Sequence, residues 1–263
     1  MHHVGIIGTG SYVPEKILTN YDLEKMVETS DKWILERTGI RERRIAGEDE
    51  TNVTMGRHAL ERAIDKACID PADIDILVVG TNTTDPMWPS AAGHIAHLLN
   101  LRKNMPFFDL QAGCTGFNYS LAVAEQFVKS GQYKTVAVVG SDKLSAITNY
   151  KDRNTCVLFG DGAGAVVLGH SNSNGEGEIL NIHIQSDGKL WNLIHLPGGG
   201  SRIPPSQQML DEGLHYVKMQ GNEVFKYAVR TMVDAALKAL ESAGITSDEI
   251  DWLIPHQANM RIM

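Results

Sequence analysis

The sequence predicts an α/β protein built from two related halves, and three observations carry the prediction. Short apolar runs rich in β-branched residues recur along the 263-residue chain, stretches with helical spacing lie between them, and one helix-turn-strand segment occurs twice. Unbroken apolar strands separated by helices favour a mainly parallel sheet covered on both faces.

The strand runs are VGII from Val4, DILVVG from Asp75, FFDL from Phe107, TVAVVG from Thr135, AVVLG from Ala165 and ILNIHI from Ile179. The clearest helix repeats Val224, Phe225, Ala228, Val229, Met232, Val233, Ala236 and Leu240 at intervals of three and four, with Gly244 as its stop. Residues 61–80, ERAIDKACIDPADIDILVVG, align without gaps on residues 237–256, LKALESAGITSDEIDWLIPH, at an offset of 176 that also lays Val4 on Leu180 and Ile6 on Ile182. The expected domains are therefore residues 1–172 and 173–263. Met263 corresponds to position 87 of the first copy, so the second half is expected to be incomplete.

A net charge of −8 argues against non-specific attraction to nucleic acid or an anionic membrane. No run approaches the roughly 20 apolar residues that span a bilayer, and MHHVGIIGTG lacks the features of a signal peptide, so a cytoplasmic setting is expected. Cys68, Cys114 and Cys156 are odd in number and without CxxC spacing, which suggests neither a disulfide framework nor zinc. His94 and His97 lie three apart with no further ligand at suitable spacing, and they read as a packed or solvated pair. No metal or cofactor is expected.

Cys114 stands apart from the other thiols. PFFDLQAGC is a strand and a tight turn, and Phe117, Leu121, Ala124 and Val128 continue as a helical face. Small neighbours allow a sharp bend and close approach by a ligand, and the positive end of the following helix favours the nucleophilic thiolate. Cys68 and Cys156 read as small buried hydrophobes. A cysteine nucleophile needs a partner, and His256 follows the strand-like DWLI and Pro255, at a strand end where parallel sheets build their sites. GTGSYV from Gly8 begins like a dinucleotide fingerprint, but Val13 takes the third glycine position and Pro14 follows, so NAD binding is not expected. FGDGAG from Phe159 lacks a P-loop ending and reads as packing at a turn.

AGCTGF around Cys114, WILERTGIRERR from Trp33, FGDGAGAVVLG from Phe159, GNEVFK from Gly221 and PHQANMRI from Pro255 together resemble β-ketoacyl-acyl carrier protein synthase III. The resemblance covers essentially the whole chain. It implies the thiolase fold, duplicated α/β halves in five layers, and an acyltransferase that starts type II fatty acid synthesis. By that resemblance Cys114 takes an acyl group from a short acyl-CoA, and His256 donates a hydrogen bond to the thioester carbonyl of malonyl-acyl carrier protein during its decarboxylation. Trp33, Arg37 and Arg153 match the positions that clamp the adenine of coenzyme A, which is a substrate and not a resident cofactor. Arg41, Arg43 and Arg44 read equally well as a solvated or salt-bridged segment.

Gln257, Ala258, Asn259 and Arg261 match the carrier-protein dock, with Arg261 meeting an acidic helix of the carrier. Trp88 falls where relatives line the partner subunit's acyl pocket across a homodimer interface. The starter is left open between acetyl and branched or longer acyl groups. The family's asparagine and second oxyanion donor lie downstream of PHQAN, and little condensing activity is expected of a chain ending at Met263. A catalytically silent protein of the same fold that binds coenzyme A or carrier protein is the alternative. A degradative thiolase is disfavoured because residues 157–263 contain no second cysteine.

Overall fold

A computed structural model describes residues 2–171 and 177–263. In chain order the elements are β1 (Val4–Tyr12), β2 (Ile17–Thr19), α1 (Asn20–Glu24), α2 (Asp31–Thr38), β3 (Glu42–Arg44), α3 (Asn52–Ala67), β4 (Ile76–Gly80), α4 (Ala91–Leu98) and β5 (Phe107–Leu110). They continue with α5 (Gly116–Lys129), β6 (Val136–Lys143), α6 (Arg153–Cys156), β7 (Asp161–His170), β8 (Ile194–His195), α7 (Gln207–Asp211), β9 (Lys218–Met219) and α8 (Gly221–Ala243). The chain divides into two compact units, residues 1–16, 44–143 and 161–184 in the first, and 17–43, 144–160 and 185–263 in the second. The boundary expected between residues 172 and 173 lies outside the described residues.

The first unit is built on a five-stranded sheet of order β1-β7-β6-β4-β5. Alternation along each strand sends Leu77, Val79, Ala137, Val139, Ala165 and Val167 to one face, where they pack with Ala59, Leu60 and Ala63 of α3 and Ile95 of α4. Ile76, Val78, Val136, Val138, Val166 and Leu168 go to the other face, with Ala124 and Val128 of α5. Both faces are covered, which is why these strands read as unbroken apolar runs. The sheet is nevertheless mixed, a correction to the mainly parallel expectation: β4 runs parallel to β5 and β6, while β7 is antiparallel to β6 and β1. The antiparallel register runs from Val136 opposite Leu168 to Lys143 opposite Asp161.

Two further corrections concern glycine-rich stretches and cysteine. Asp161–Gly164 of FGDGAG is not a turn but the start of β7, with the buried Asp161 carboxylate accepting the Ala46 N–H at 2.7 Å. Cys68 is exposed, not buried, because it caps α3 in the left-handed conformation at φ 54°, which turns it out of the helix face. GTGSY, Gly8 to Tyr12, lies inside β1, and Val13 follows it. A Cβ on Gly8 would stand 2.3 Å from the Ala63 carbonyl oxygen and one on Gly10 2.2 Å from that of Ala59, so these glycines seat α3 against the strand.

In the second unit, Leu23, Ile34, Cys156 and Val157 form a small core to which Trp33 and Tyr150 add partly buried rings. The helix read from Val224 forms as α8 and stops at Gly244, φ 71°. Among the described residues no helix is long and apolar enough to cross a membrane. Neither α3 nor α8 stops without consequence: each left-handed cap is followed by a 3-10 turn with a capping box, Pro71–Asp73 after Asp70 and Ser247–Glu249 after Thr246. Two expected strands are absent. ILNIHI forms no named strand: next to it Glu178 bridges to Gly5, and the Ile179 N–H donates to the Val4 carbonyl. DWLI is extended but pairs with no described strand, and an apolar run without a neighbour cannot satisfy a ladder.

Candidate active site

Cys114 sits beyond the carboxyl end of β5, in a single 3-10 turn, Gly113–Thr115, that leads directly into α5. Gly113 takes φ 58°, which a side chain would strain, and the Thr115 hydroxyl closes the turn on the Ala112 carbonyl at 2.8 Å. At the neighbouring strand end a Cβ on Gly80 would lie 2.7 Å from the Gly116 backbone, so the helix start and β4 meet at contact distance. The side chain of Cys114 is open to solvent. Surrounding protein still desolvates the thiolate, and with the Asp142 charge this pushes the thiol pKa up against a smaller opposing pull from a backbone hydrogen bond. Burial and the nearby carboxylate thus favour the thiol over the thiolate.

Asp142 is a residue that sequence reasoning missed. Its Oδ1 accepts from Asn82 N–H at 2.7 Å, from the Thr83 hydroxyl at 2.8 Å and from the Thr81 hydroxyl at 3.2 Å. Its Oδ2 accepts from Asn82 Nδ2 at 3.0 Å, and that amide also donates to the Gly113 carbonyl at 3.3 Å. The loops after β4 and β5 are therefore tied to the last residues of β6, at the carboxyl ends of three parallel-running strands, where such sheets place their chemistry. The available signal was an acidic residue two positions after TVAVVG, where the apolar run ends.

The second unit holds the remaining candidates. Ser30 caps α2 by accepting the Trp33 N–H at 3.1 Å, and one turn later Arg37 folds back over the indole with its guanidinium carbon 4.9 Å from the ring centroid. Arg153, from α6, lies over the same ring at 4.8 Å and donates to the Glu28 carbonyl at 3.1 Å. Three residues more than a hundred positions apart in part are thereby brought together, two cations on one half-buried indole. His256 is solvent-accessible in an unpaired extended segment, and desolvation by nearby protein lowers its pKa, which favours the neutral imidazole.

Downstream of His256, the Met260 N–H donates to the Thr38 carbonyl at 2.9 Å, and Met260 packs so closely that a Cβ on Gly39, φ 76°, would stand 2.7 Å from its own Cβ. Asn259 accepts the Arg261 N–H at 2.8 Å, and Arg261 lies over Phe225 at 5.3 Å. Gln257 is exposed and Ala258 half-buried. In the first unit Trp88 is 86% exposed. Arg41, Arg43 and Arg44 do not form a uniformly solvated segment: Arg43 is 4% exposed, because strand alternation in β3 points it inward. Among the described residues no group of three or more His, Cys, Asp or Glu is placed to hold a metal.

Comparison with known proteins accounts for this arrangement. The family profile of 3-oxoacyl-[acyl-carrier-protein (ACP)] synthase III matches residues 108–188, which contain Cys114 and Arg153. A beta-ketoacyl-[acyl-carrier-protein] synthase III of Caldanaerobacter subterraneus subsp. tengcongensis is 50% identical over 259 residues, 98% of this chain and 77% of that protein. One from Chlamydia trachomatis serovar D is 50% identical over 258 residues, 98% of this chain and 78% of the relative. The crystal structure of 3-oxoacyl-[acyl-carrier-protein] synthase III from Aquifex aeolicus VF5 superposes with a TM-score of 0.89 at 42% identity, covering 98% of this chain and 78% of that one. The thiolase-like α/β fold follows from that superposition, and with half of its residues identical over nearly its whole length, this chain belongs to the β-ketoacyl-[acyl-carrier-protein] synthase III family.

Proposed function

We propose that Cys114 carries the acyl group and His256 polarises the incoming thioester in a decarboxylating Claisen condensation of a short acyl-CoA with malonyl-acyl carrier protein. The reaction class itself follows from family membership: the chain is a condensing acyltransferase that initiates fatty acid synthesis. The observation that supports the assignment of Cys114 is its place at a strand-to-helix turn whose glycine must be left-handed, with the sulfur open to solvent. In the first step the Cys114 sulfur bonds to the acyl carbon, the CoA carbon-sulfur bond breaks, and the thiol proton leaves with coenzyme A. The raised thiol pKa keeps that proton on the sulfur until the acyl group is attacked. Malonyl-acyl carrier protein then loses CO2, its carbanion attacks the acyl carbon, and the Cys114 thiolate departs and regains a proton from solvent. A neutral His256 donates its ring N–H to the malonyl thioester oxygen as charge develops there.

Trp33, Arg37 and Arg153 are assigned to the adenine of coenzyme A. A purine stacked between Trp33 and Arg153 needs two contacts of about 3.5–4 Å, so Arg153 must swing outward from 4.8 Å to admit it. Gln257, Ala258, Asn259 and Arg261 are assigned to the carrier protein, supported by the exposed cation of Arg261 held over Phe225. Trp88, with its ring almost wholly exposed, is assigned to a homodimer interface and the partner subunit's acyl pocket. A duplicated architecture, residues 1–172 and part of a second half in 173–263, is supported by the matching caps at Cys68 and Gly244 and the matching 3-10 turns, all at the offset read from the sequence. The working compartment is the cytoplasm, where a free nucleophilic thiol stays reduced.

The test is intact mass spectrometry of the purified protein before and after incubation with acetyl-CoA. The expected result is a mass gain of one acetyl group that is absent from Cys114→Ala. A gain that persists in Cys114→Ala, or that maps to the exposed Cys68, overturns the assignment.

A further inference from the structure

The proposed function uses none of the TGIRERR arginines, and among them Arg43 is set apart by its burial. Burying a guanidinium is strongly unfavourable unless its donors are satisfied, and replacing such a cation by an apolar side chain of similar size often stabilises a fold. Here the partners are neutral dipoles. Nε and Nη2 both donate to the Val157 carbonyl, Nε at 3.0 Å, and Nη1 donates to Asn20 Oδ1 at 2.5 Å. What distinguishes these acceptors is their location. Val157 caps α6, one turn after Arg153. Asn20 opens α1, and its Nδ2 donates to Asp31 Oδ1 at 2.8 Å and to the Ile40 carbonyl at 2.9 Å, at the first residue of the helix that bears Trp33 and Arg37 and just beyond its end.

A closed circuit results: Trp33 on α2, both ends of α2 on Asn20, Asn20 on Arg43, Arg43 on Val157, and α6 returning Arg153 to the face of Trp33. A four-residue helix such as α6 has little rigidity of its own. Its orientation depends on what grips its ends, and a planar fork that bonds one carbonyl twice fixes direction as well as distance. We infer that Arg43 is a positioning residue of the coenzyme A site, holding α6 and α2 so that Arg153 and Trp33 face each other at the separation from which they receive the adenine. The inference rests on the assignment of Trp33, Arg37 and Arg153 to that nucleotide.

The experiment uses the full chain labelled with 5-fluorotryptophan, the Trp33 signal being assigned with Trp33→Phe, and compares wild type with Arg43→Lys, Asn20→Asp and Arg153→Ala. Arg43→Lys keeps the charge but loses the fork, and Asn20→Asp keeps an acceptor for Arg43 but loses both amide donations. In Arg43→Lys the Trp33 fluorine resonance is expected to move toward its position in Arg153→Ala while the other tryptophans stay put. The KM for acetyl-CoA should rise about tenfold, with the acetylation rate at saturation changed less than about twofold. Asn20→Asp should move both readouts the same way and supplies the answer if Arg43→Lys does not fold. A Trp33 resonance and KM that stay at wild-type values in whichever of the two variants folds overturn the inference. If Arg153→Ala and Trp33→Phe themselves leave the KM unchanged, the nucleotide assignment fails first, and a resonance that still moves would show Arg43 positioning a clamp for something other than coenzyme A.

Discussion

Residues 75–80 and 251–256 begin alike, Asp-Ile-Leu-Val-Val-Gly and Asp-Trp-Leu-Ile-Pro-His, after helices with the same left-handed stop and the same 3-10 turn. They end in opposite states. In the first, Ile76, Leu77, Val78 and Val79 are fully buried between two neighbouring strands, and Asp75 is itself held, accepting the N–H groups of Lys134 and Thr135 and pairing with Arg102 at 2.7 Å. In the second, Trp252, Leu253 and Ile254 are 85%, 74% and 82% exposed, with no strand beside them among the described residues. The helix and the turn form from bonds within one short stretch, whereas a strand exists only as a member of a pair. Local sequence therefore sets caps and turns in both segments, and neighbours decide the rest.

Leu77→Asp and Leu253→Asp test this contrast most directly, because the two leucines occupy equivalent places. The first should cost more than about 4 kcal/mol in urea unfolding and compromise folding, since it buries a charge without a partner. The second should fall within about 0.5 kcal/mol of wild type. Comparable damage from both would show that residues 252–254 are buried in solution and would erase the contrast.

A smaller effect is expected at the two helix stops, which are alike in geometry and differ in residue. Gly244→Ala should destabilise by about 1 kcal/mol, because a Cβ is disfavoured at positive φ. Cys68→Gly should stabilise by up to about 1 kcal/mol by relieving the same strain at φ 54°. Thermal unfolding of both variants reads the pair, and a destabilised Cys68→Gly would mean that the side chain contributes more than its exposure suggests.

The smallest effect concerns Glu249, whose bonds from the Thr246 backbone and then its hydroxyl hold the carboxyl pKa below the usual glutamate range. Because the folded pKa is depressed, the resulting stabilisation is present above the ordinary glutamate pKa and is lost as pH falls through the depressed one. Thr246→Ala removes the hydroxyl donor, and an NMR titration should find the Glu249 pKa moved partway back up. An unmoved titration would show that the backbone N–H alone sets it.

The elements that were legible in the sequence are those whose cause is local. The spacing from Val224 to Leu240 with Gly244 after it specifies α8, and Ala112, Gly113 and Gly116 around Cys114 announce a sharp turn before a helix. ILNIHI and DWLI have the pattern of strands but form no strand ladder among the described residues, for the reason the comparison exposes: a pattern fits a sheet only where a neighbouring strand pairs with it. Trp33, Arg37 and Arg153 share no spacing, so only a family resemblance could connect them. The Asp142 network needs the ends of three strands side by side, and the inward turn of Arg43 needs the alternation of a three-residue strand too short to recognise by pattern.

Gly8 and Gly10 press β1 against α3 so closely that no side chain fits at either place. A library randomised at both positions and selected only for folding should return glycine at each. The spelling GTG thus answers to a steric rule unrelated to any nucleotide. A search for dinucleotide sites keyed to glycine spacing meets in this chain a false positive made by packing.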